Sequence, residues 1–209
     1  MKNWSLLLSV FLLFTFQEKP GPITSTEVQL KAADKEFLLE YFEVTRENLE
    51  EATEDLSEAQ LQYKPAEDRW SVGEVLEHII LTEESIFGMT RELMAKSPAP
   101  ERRAEIKNSD EELVMGVEDR TQKFQASADL QPTGKYIRAE EALDNFEDQR
   151  EEIVEFIKTT TEKDLRDHIS DSPFGAIDGY QSLLFLAGHT ARHTKQIKEV
   201  LADPGFPEM

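Results

Sequence analysis

Four long stretches of this chain repeat their apolar residues every three or four positions, and no stretch alternates apolar with polar residues long enough to read as a strand. The first runs over residues 26–56, where Leu30, Phe37, Leu38, Tyr41, Thr45, Leu49 and Ala52 fall on one side of a helix and Glu and Lys fill the rest. The second starts at Ser71, where Ser71 and Glu74 make an S-x-x-E capping box with Trp70 placed to staple onto Val75, and it continues to residue 95. Leu143, Phe146, Ile153 and Ile157, joined by Val154 and Phe156, predict a third over 139–160. The last covers 180–202, after a turn marked by Phe174, Gly175, Asp178 and Gly179, and is stopped by Pro204 and Gly205.

Between the second and third stretches lie Pro98, Pro100, Pro132 and Gly134, with room for a shorter helix over 110–124 opened by a second capping box, Ser109 to Glu112. The expectation is an all-α fold, a four-helix bundle with a long crossover between the second and third main helices, which are therefore not joined as a simple hairpin. A single domain over 24–203 accounts for this length.

Residues 1–22 read differently. One positive charge at Lys2 precedes an uncharged apolar run from Trp4 to Phe16, which is the layout of a secretory signal and shorter than the roughly 20 residues a membrane span needs. Export to the periplasm or the exterior is expected, with no stable membrane insertion once the signal is removed.

Composition removes several functions. With 43 Asp and Glu against 23 Lys and Arg, a formal charge of −20, and no basic run, nucleic acid is a poor partner. The absence of cysteine excludes disulfides, a thiolate nucleophile and a Cys-based zinc site, so any metal must be held by His, carboxylate or water.

Histidine then carries the chemistry. His189 and His193 are four apart and project from one face of the last helix, a face shared with Phe185, Leu186, Ile197 and Val200, while Lys195, Lys198 and Glu199 fall elsewhere. His78 comes from the second helix beside Val75, sharing its face with Thr82, Ser85 and Met89. Spacing alone leaves two readings open, a metal site and a pair of satisfied core imidazoles. Three imidazoles on one ion would leave coordination positions for water or substrate, and a bound water would be acidified toward neutrality. Thr190 stands where a zincin has its glutamate, and Val75, Leu186 and Thr190 stand where Glu-x-x-His di-iron motifs need glutamate.

The stretches Arg69-Trp70-Ser71-Val72-Gly73-Glu74-Val75-Leu76-Glu77-His78 and Gly188-His189-Thr190-Ala191-Arg192-His193-Thr194-Lys195-Gln196-Ile197 together resemble the two signature regions of the DinB-like superfamily, and Pro173-Phe174-Gly175 resembles its loop before the last helix. The resemblance spans residues 26–201. It implies a four-helix bundle, commonly a homodimer, with His78, His189 and His193 as ligands to one divalent transition metal, zinc foremost, with nickel, iron or manganese as other candidates. Members include metal-dependent hydrolases, thiol transferases, a thiol-dependent isomerase and proteins without a known reaction, so the family does not choose the chemistry. The leading expectation is a metal-dependent hydrolase acting on a small molecule through metal-activated water. Alternatives are a non-catalytic metal-binding or dimeric interaction module, and a metal-dependent thiol transferase, which an exported location disfavours.

Four further residues are open. Gln196 fits the family pattern, as a partner of a ligand or as bundle packing. Glu74 is explained by its capping box without chemistry. Arg150, on the apolar stripe, is expected to snorkel or to be paired rather than to hold an anionic substrate. His168, between Asp167 and Ile169, is expected to be exposed to solvent and outside the site.

Overall fold

A computed structural model describes residues 35–172 and 175–208. The signal read at 1–22 and the Pro173-Phe174 pair lie outside the described residues.

The main helices are α1 (Lys35–Thr53), α3 (Val72–Met94), α5 (Ala139–Thr159) and α7 (Gly179–Leu201). Shorter ones fall between them: α2 (Glu58–Gln62), α4 (Asp110–Glu118) and α6 (Glu162–Asp167). Around the bundle α7 packs on α1 and α3, and α5 closes the square against α3 and α1, so α1 and α3 stand on one diagonal. Directions follow from the side-chain contacts. Glu83 meets Arg150 and Arg91 meets Glu152, so α3 and α5 run parallel, whereas Glu83 also meets Thr190 and Thr90 meets Ser182, so α7 is antiparallel to α3.

Parallel neighbours explain the crossover. A helix of 23 residues rises about 35 Å, and the chain has to return that whole length before α5 can start beside α3. It uses the journey to cover α7: Leu113 and Val114 of α4 are buried against Leu183, Leu184 and Ala187 in the upper core. A lower core joins Leu49, Leu61, Val75, Leu76, Ile79, Phe146, Ile197 and Val200.

Between these two apolar halves lies a buried polar layer. Arg150 is 2% exposed and Glu83 not at all. Arg150 donates to Glu83 from Nη2 at 2.5 Å and from Nε at 3.0 Å, and from Nη1 to the Phe42 carbonyl and the Thr45 hydroxyl, each at 3.0 Å. Its guanidinium lies between the rings of Phe42 and Phe146, at 4.7 and 4.9 Å from their centroids. Thr190 donates to Glu83 at 2.5 Å. The expected pairing of Arg150 is thus met, deep in the bundle and with its donors taken.

Helix starts follow the sequence signals. Ser71 and Glu74 cap α3 reciprocally, as Ser109 and Glu112 cap α4. The expected reach of α4 to residue 124 is corrected: it ends at Glu118, because Arg192 of α7 donates to the carbonyls of Val117, Asp119 and Gln122, and Asp119 accepts from the Thr121 amide at 2.8 Å. Those bonds replace the next helical turn. The first helix likewise ends earlier than expected, at Thr53, and α2 starts with its own capping box at Ser57.

Two expectations are overturned. The absence of strands fails at an antiparallel hairpin, β1 (Ile169–Ser172) and β2 (Gly175–Asp178), with Gly175 at φ 101°. Four-residue strands are too short to show alternation. His168 is 7% exposed rather than solvated, because the end of α3 brings the Lys96 carbonyl to 3.0 Å from its Nε2 while the Asp164 carbonyl sits 2.7 Å from Nδ1. Among the described residues no helix is long and apolar enough to cross a membrane.

Candidate metal centre

The antiparallel contact of α3 with α7 brings His78 against His189 and His193. Ring centroids are 5.0 Å apart for His78 and His189, 4.6 Å for His78 and His193, and 4.3 Å for the i, i+4 pair. One nitrogen from each ring lies within 4.8 Å of the others. Ligation by three imidazoles at about 2.1 Å in a tetrahedral arrangement places nitrogens roughly 3.4 Å apart, so small ring rotations bring the trio to that spacing. Among the described residues this is where three metal-capable side chains converge.

The surroundings orient two of the rings. His78 Nδ1 lies 2.8 Å from the Leu130 carbonyl, which only accepts, so Nδ1 carries the proton and Nε2 keeps its lone pair. Leu130 belongs to the crossover, which here folds back onto α3. His193 Nδ1 lies 2.9 Å from Gln196 Oε1, one turn further along α7. Gln196 also accepts from Arg120 Nη1 at 3.1 Å, and Arg120 is fastened to Glu199 by two bonds of 2.9 and 2.8 Å. The open question about Gln196 is answered by contact: it holds a histidine of the trio. Nothing in the sequence pointed to Leu130, whose contribution is a carbonyl, or to Arg120, whose side chain enters from another part of the chain.

His189 is different. Its Nδ1 is buried and has no hydrogen-bond partner, a costly condition for a polar nitrogen. Trp70 packs on His78 with centroids 4.9 Å apart, and Phe185 stacks on His189 at 6.4 Å, giving the trio an apolar rim. Burial is the main reason that all three imidazoles are held below the ordinary histidine range. For His189 the neighbouring His193 and His78 push the same way, and His193 is lowered to about 3. Three neutral rings at neutral pH, one with an unpaired buried nitrogen, form a donor set suited to a divalent transition metal.

The remaining candidates stand apart. Glu74 is held by its capping box and by Lys64 at 2.9 Å. Arg150 is occupied by Glu83, and His168 lies at the α6 end, bonded to Asp164 and Lys96.

Comparison with known proteins agrees with this architecture. The profile of the DinB superfamily matches residues 41–197. A Bacillus subtilis (strain 168) relative, "Uncharacterized protein YuaE", is 26% identical over 145 residues, spanning 69% of this chain and 85% of its own length. Among solved structures, YfiT from Bacillus subtilis, described as a probable metal-dependent hydrolase with an unusual four-helix bundle topology, aligns with a TM-score of 0.59 at 15% identity. That alignment covers 89% of this chain and 97% of YfiT, and shows the shared fold. With the profile covering most of its length, the chain belongs to the DinB superfamily.

Proposed function

We propose that this protein binds one divalent transition metal through His78, His189 and His193 and hydrolyses a small molecule at the metal. The observation that carries the reading is the convergence of three neutral imidazoles, one of which, His189, has a buried Nδ1 without a hydrogen-bond partner. The description of YfiT as a probable metal-dependent hydrolase supports the reaction class. Zinc is the first choice of ion, with nickel, iron or manganese as alternatives. A bound ion of this kind supplies Lewis acidity, which polarises a substrate oxygen and brings water toward deprotonation near neutral pH.

The chain's own groups do the rest. Leu130 and Gln196 hold His78 and His193 by their Nδ1 protons, and the Trp70 and Phe185 rings shield two of the histidines from water. No side chain is assigned as the base. The apolar run before residue 17 supports action outside the cytoplasm, and the small-molecule substrate and a homodimeric state belong to the same proposal.

Protein purified from residue 24 onward carries about one metal per chain under this reading. His193→Ala then loses both the metal and hydrolysis of ester, amide or phosphate probes. Loaded protein that is inert on all three probe classes refutes the hydrolase.

One observation favours a second reading. The trio joins α3 to α7 where Leu130 also pins the crossover to His78, so an ion there would cross-link the two helices and serve stability without turnover. Full metal occupancy with no reaction on any probe separates this from the first.

A further inference from the structure

We propose that Arg120, a crossover residue, is the positioning residue that decides which nitrogen of His193 carries the proton, so that a lone pair faces the trio, and that Glu199 holds it in place to do so.

A side-chain amide is ambiguous in its orientation. Gln196 ends in an oxygen and an NH2 group of nearly equal size, so its side chain fits beside His193 in two orientations a half-turn apart. With Oε1 toward the ring, His193 Nδ1 carries the proton and Nε2 faces the other histidines with a free lone pair. With the NH2 toward the ring, Nδ1 has to accept, the proton moves to Nε2, and an N–H points to where a lone pair is needed. Both arrangements satisfy the pair of residues taken alone.

Arg120 breaks the tie. A guanidinium has five N–H groups and no acceptor, and its Nη1 sits 3.1 Å from Gln196 Oε1. Turning the amide over would set two donors face to face at that distance. Oε1 therefore accepts from both Arg120 Nη1 and His193 Nδ1, the latter at 2.9 Å. Glu199 accepts from Arg120 Nε and Nη2, which leaves Nη1 directed at Gln196. Glu199 and Gln196 both lie on α7 while Arg120 comes from the segment after α4, so the device also requires the crossover to be in place.

His78 needs no such device, since its partner at Leu130 is a carbonyl that can only accept. The purpose of the arrangement rests on the metal reading given above, but its geometry does not.

Long-range nitrogen–proton correlation NMR on the metal-free protein at pH 7.5 tests the assignment. In the unaltered chain His193 shows its proton on Nδ1. Arg120→Met moves His193 to a mixture of forms or to the Nε2–H form, and Glu199→Gln shifts it part of the way, while His78 stays Nδ1-protonated in both. In a Gln196→Glu background, Arg120→Met leaves His193 Nδ1-protonated, because a carboxylate has no donor end to turn toward the ring. A purely structural role for Arg120 predicts equal disturbance in both backgrounds and overturns the proposal. So does an unaltered chain with His193 protonated on Nε2, or an Arg120→Met chain with the tautomer unchanged. Zinc affinity, measured by competition with a chelating dye, falls about tenfold in Arg120→Met and is regained in the double variant. Protein that takes up no zinc yet shows the expected tautomers retires the metal reading and leaves the role of Arg120 intact.

Discussion

Replacing Arg150 by methionine removes the cationic half of the polar layer at the centre of the bundle. Glu83, which has no exposed surface, then keeps one hydrogen bond, from Thr190, in place of the fork from Nε and Nη2. The Phe42 carbonyl and the Thr45 hydroxyl lose their shared donor as well. Methionine retains packing between the Phe42 and Phe146 rings, so the loss is chiefly electrostatic. Leaving one buried charge without its partner costs about 3–5 kcal/mol. For a domain of this size that lowers Tm by roughly 6–20 °C. Urea unfolding followed by circular dichroism measures it, with the midpoint falling and the slope unchanged. Adding Glu83→Gln to Arg150→Met removes the stranded charge, and the double variant recovers a substantial part of the loss. A single variant that costs less than about 1 kcal/mol, or a double variant less stable than the single, refutes the view that these two groups compensate each other.

Glu77 offers a test by pH. Burial raises its carboxyl, but the Thr133 hydroxyl and the amides of Gly134 and Lys135 outweigh that and hold it below the ordinary range. Its stabilisation is therefore complete above the unfolded-state value and disappears as pH falls through the lower folded-state value. Unfolding free energy measured from pH 7 to 3 shows this acid limb flattened in Glu77→Gln, and an unchanged limb counts against it. Stripping metal with a chelator is expected to lower Tm, since an ion at a thousand times its Kd contributes about 4 kcal/mol, and reloading restores it. Gly73→Ala places a methyl group 3.0 Å from the Tyr136 carbonyl and is expected to cost about 1–3 kcal/mol, whereas Gly88→Ala, with open space around it, does not destabilise by this route.

What could be read beforehand was what the sequence encodes locally. The box at Ser71 and Glu74 starts α3 where the letters place it, and the core faces of α1, α5 and α7 match their apolar spacing, because each depends on neighbours within a turn or two. The convergence of His78 with His189 and His193 was legible by resemblance rather than by spacing, which fits a satisfied core equally well. What escaped was set by partners distant in the chain. His168 is buried because the Lys96 carbonyl arrives from the segment just after α3, and α4 stops because Arg192 reaches its last carbonyls from α7. Arg150 could be placed on the apolar stripe, but its Glu83 partner lies one helix away and has no sequence spacing to announce it.

The three imidazoles come from parts of the chain far apart in sequence, one from α3 and two from α7. During synthesis His78 emerges first and stays without the other two until α7 has been made. A solitary imidazole competes poorly for trace ions, so a growing chain would not sequester them. The ion would be chosen late, from whatever surroundings the polypeptide occupies when α7 finally docks. Selectivity would then be a property of timing and place as much as of ligand chemistry.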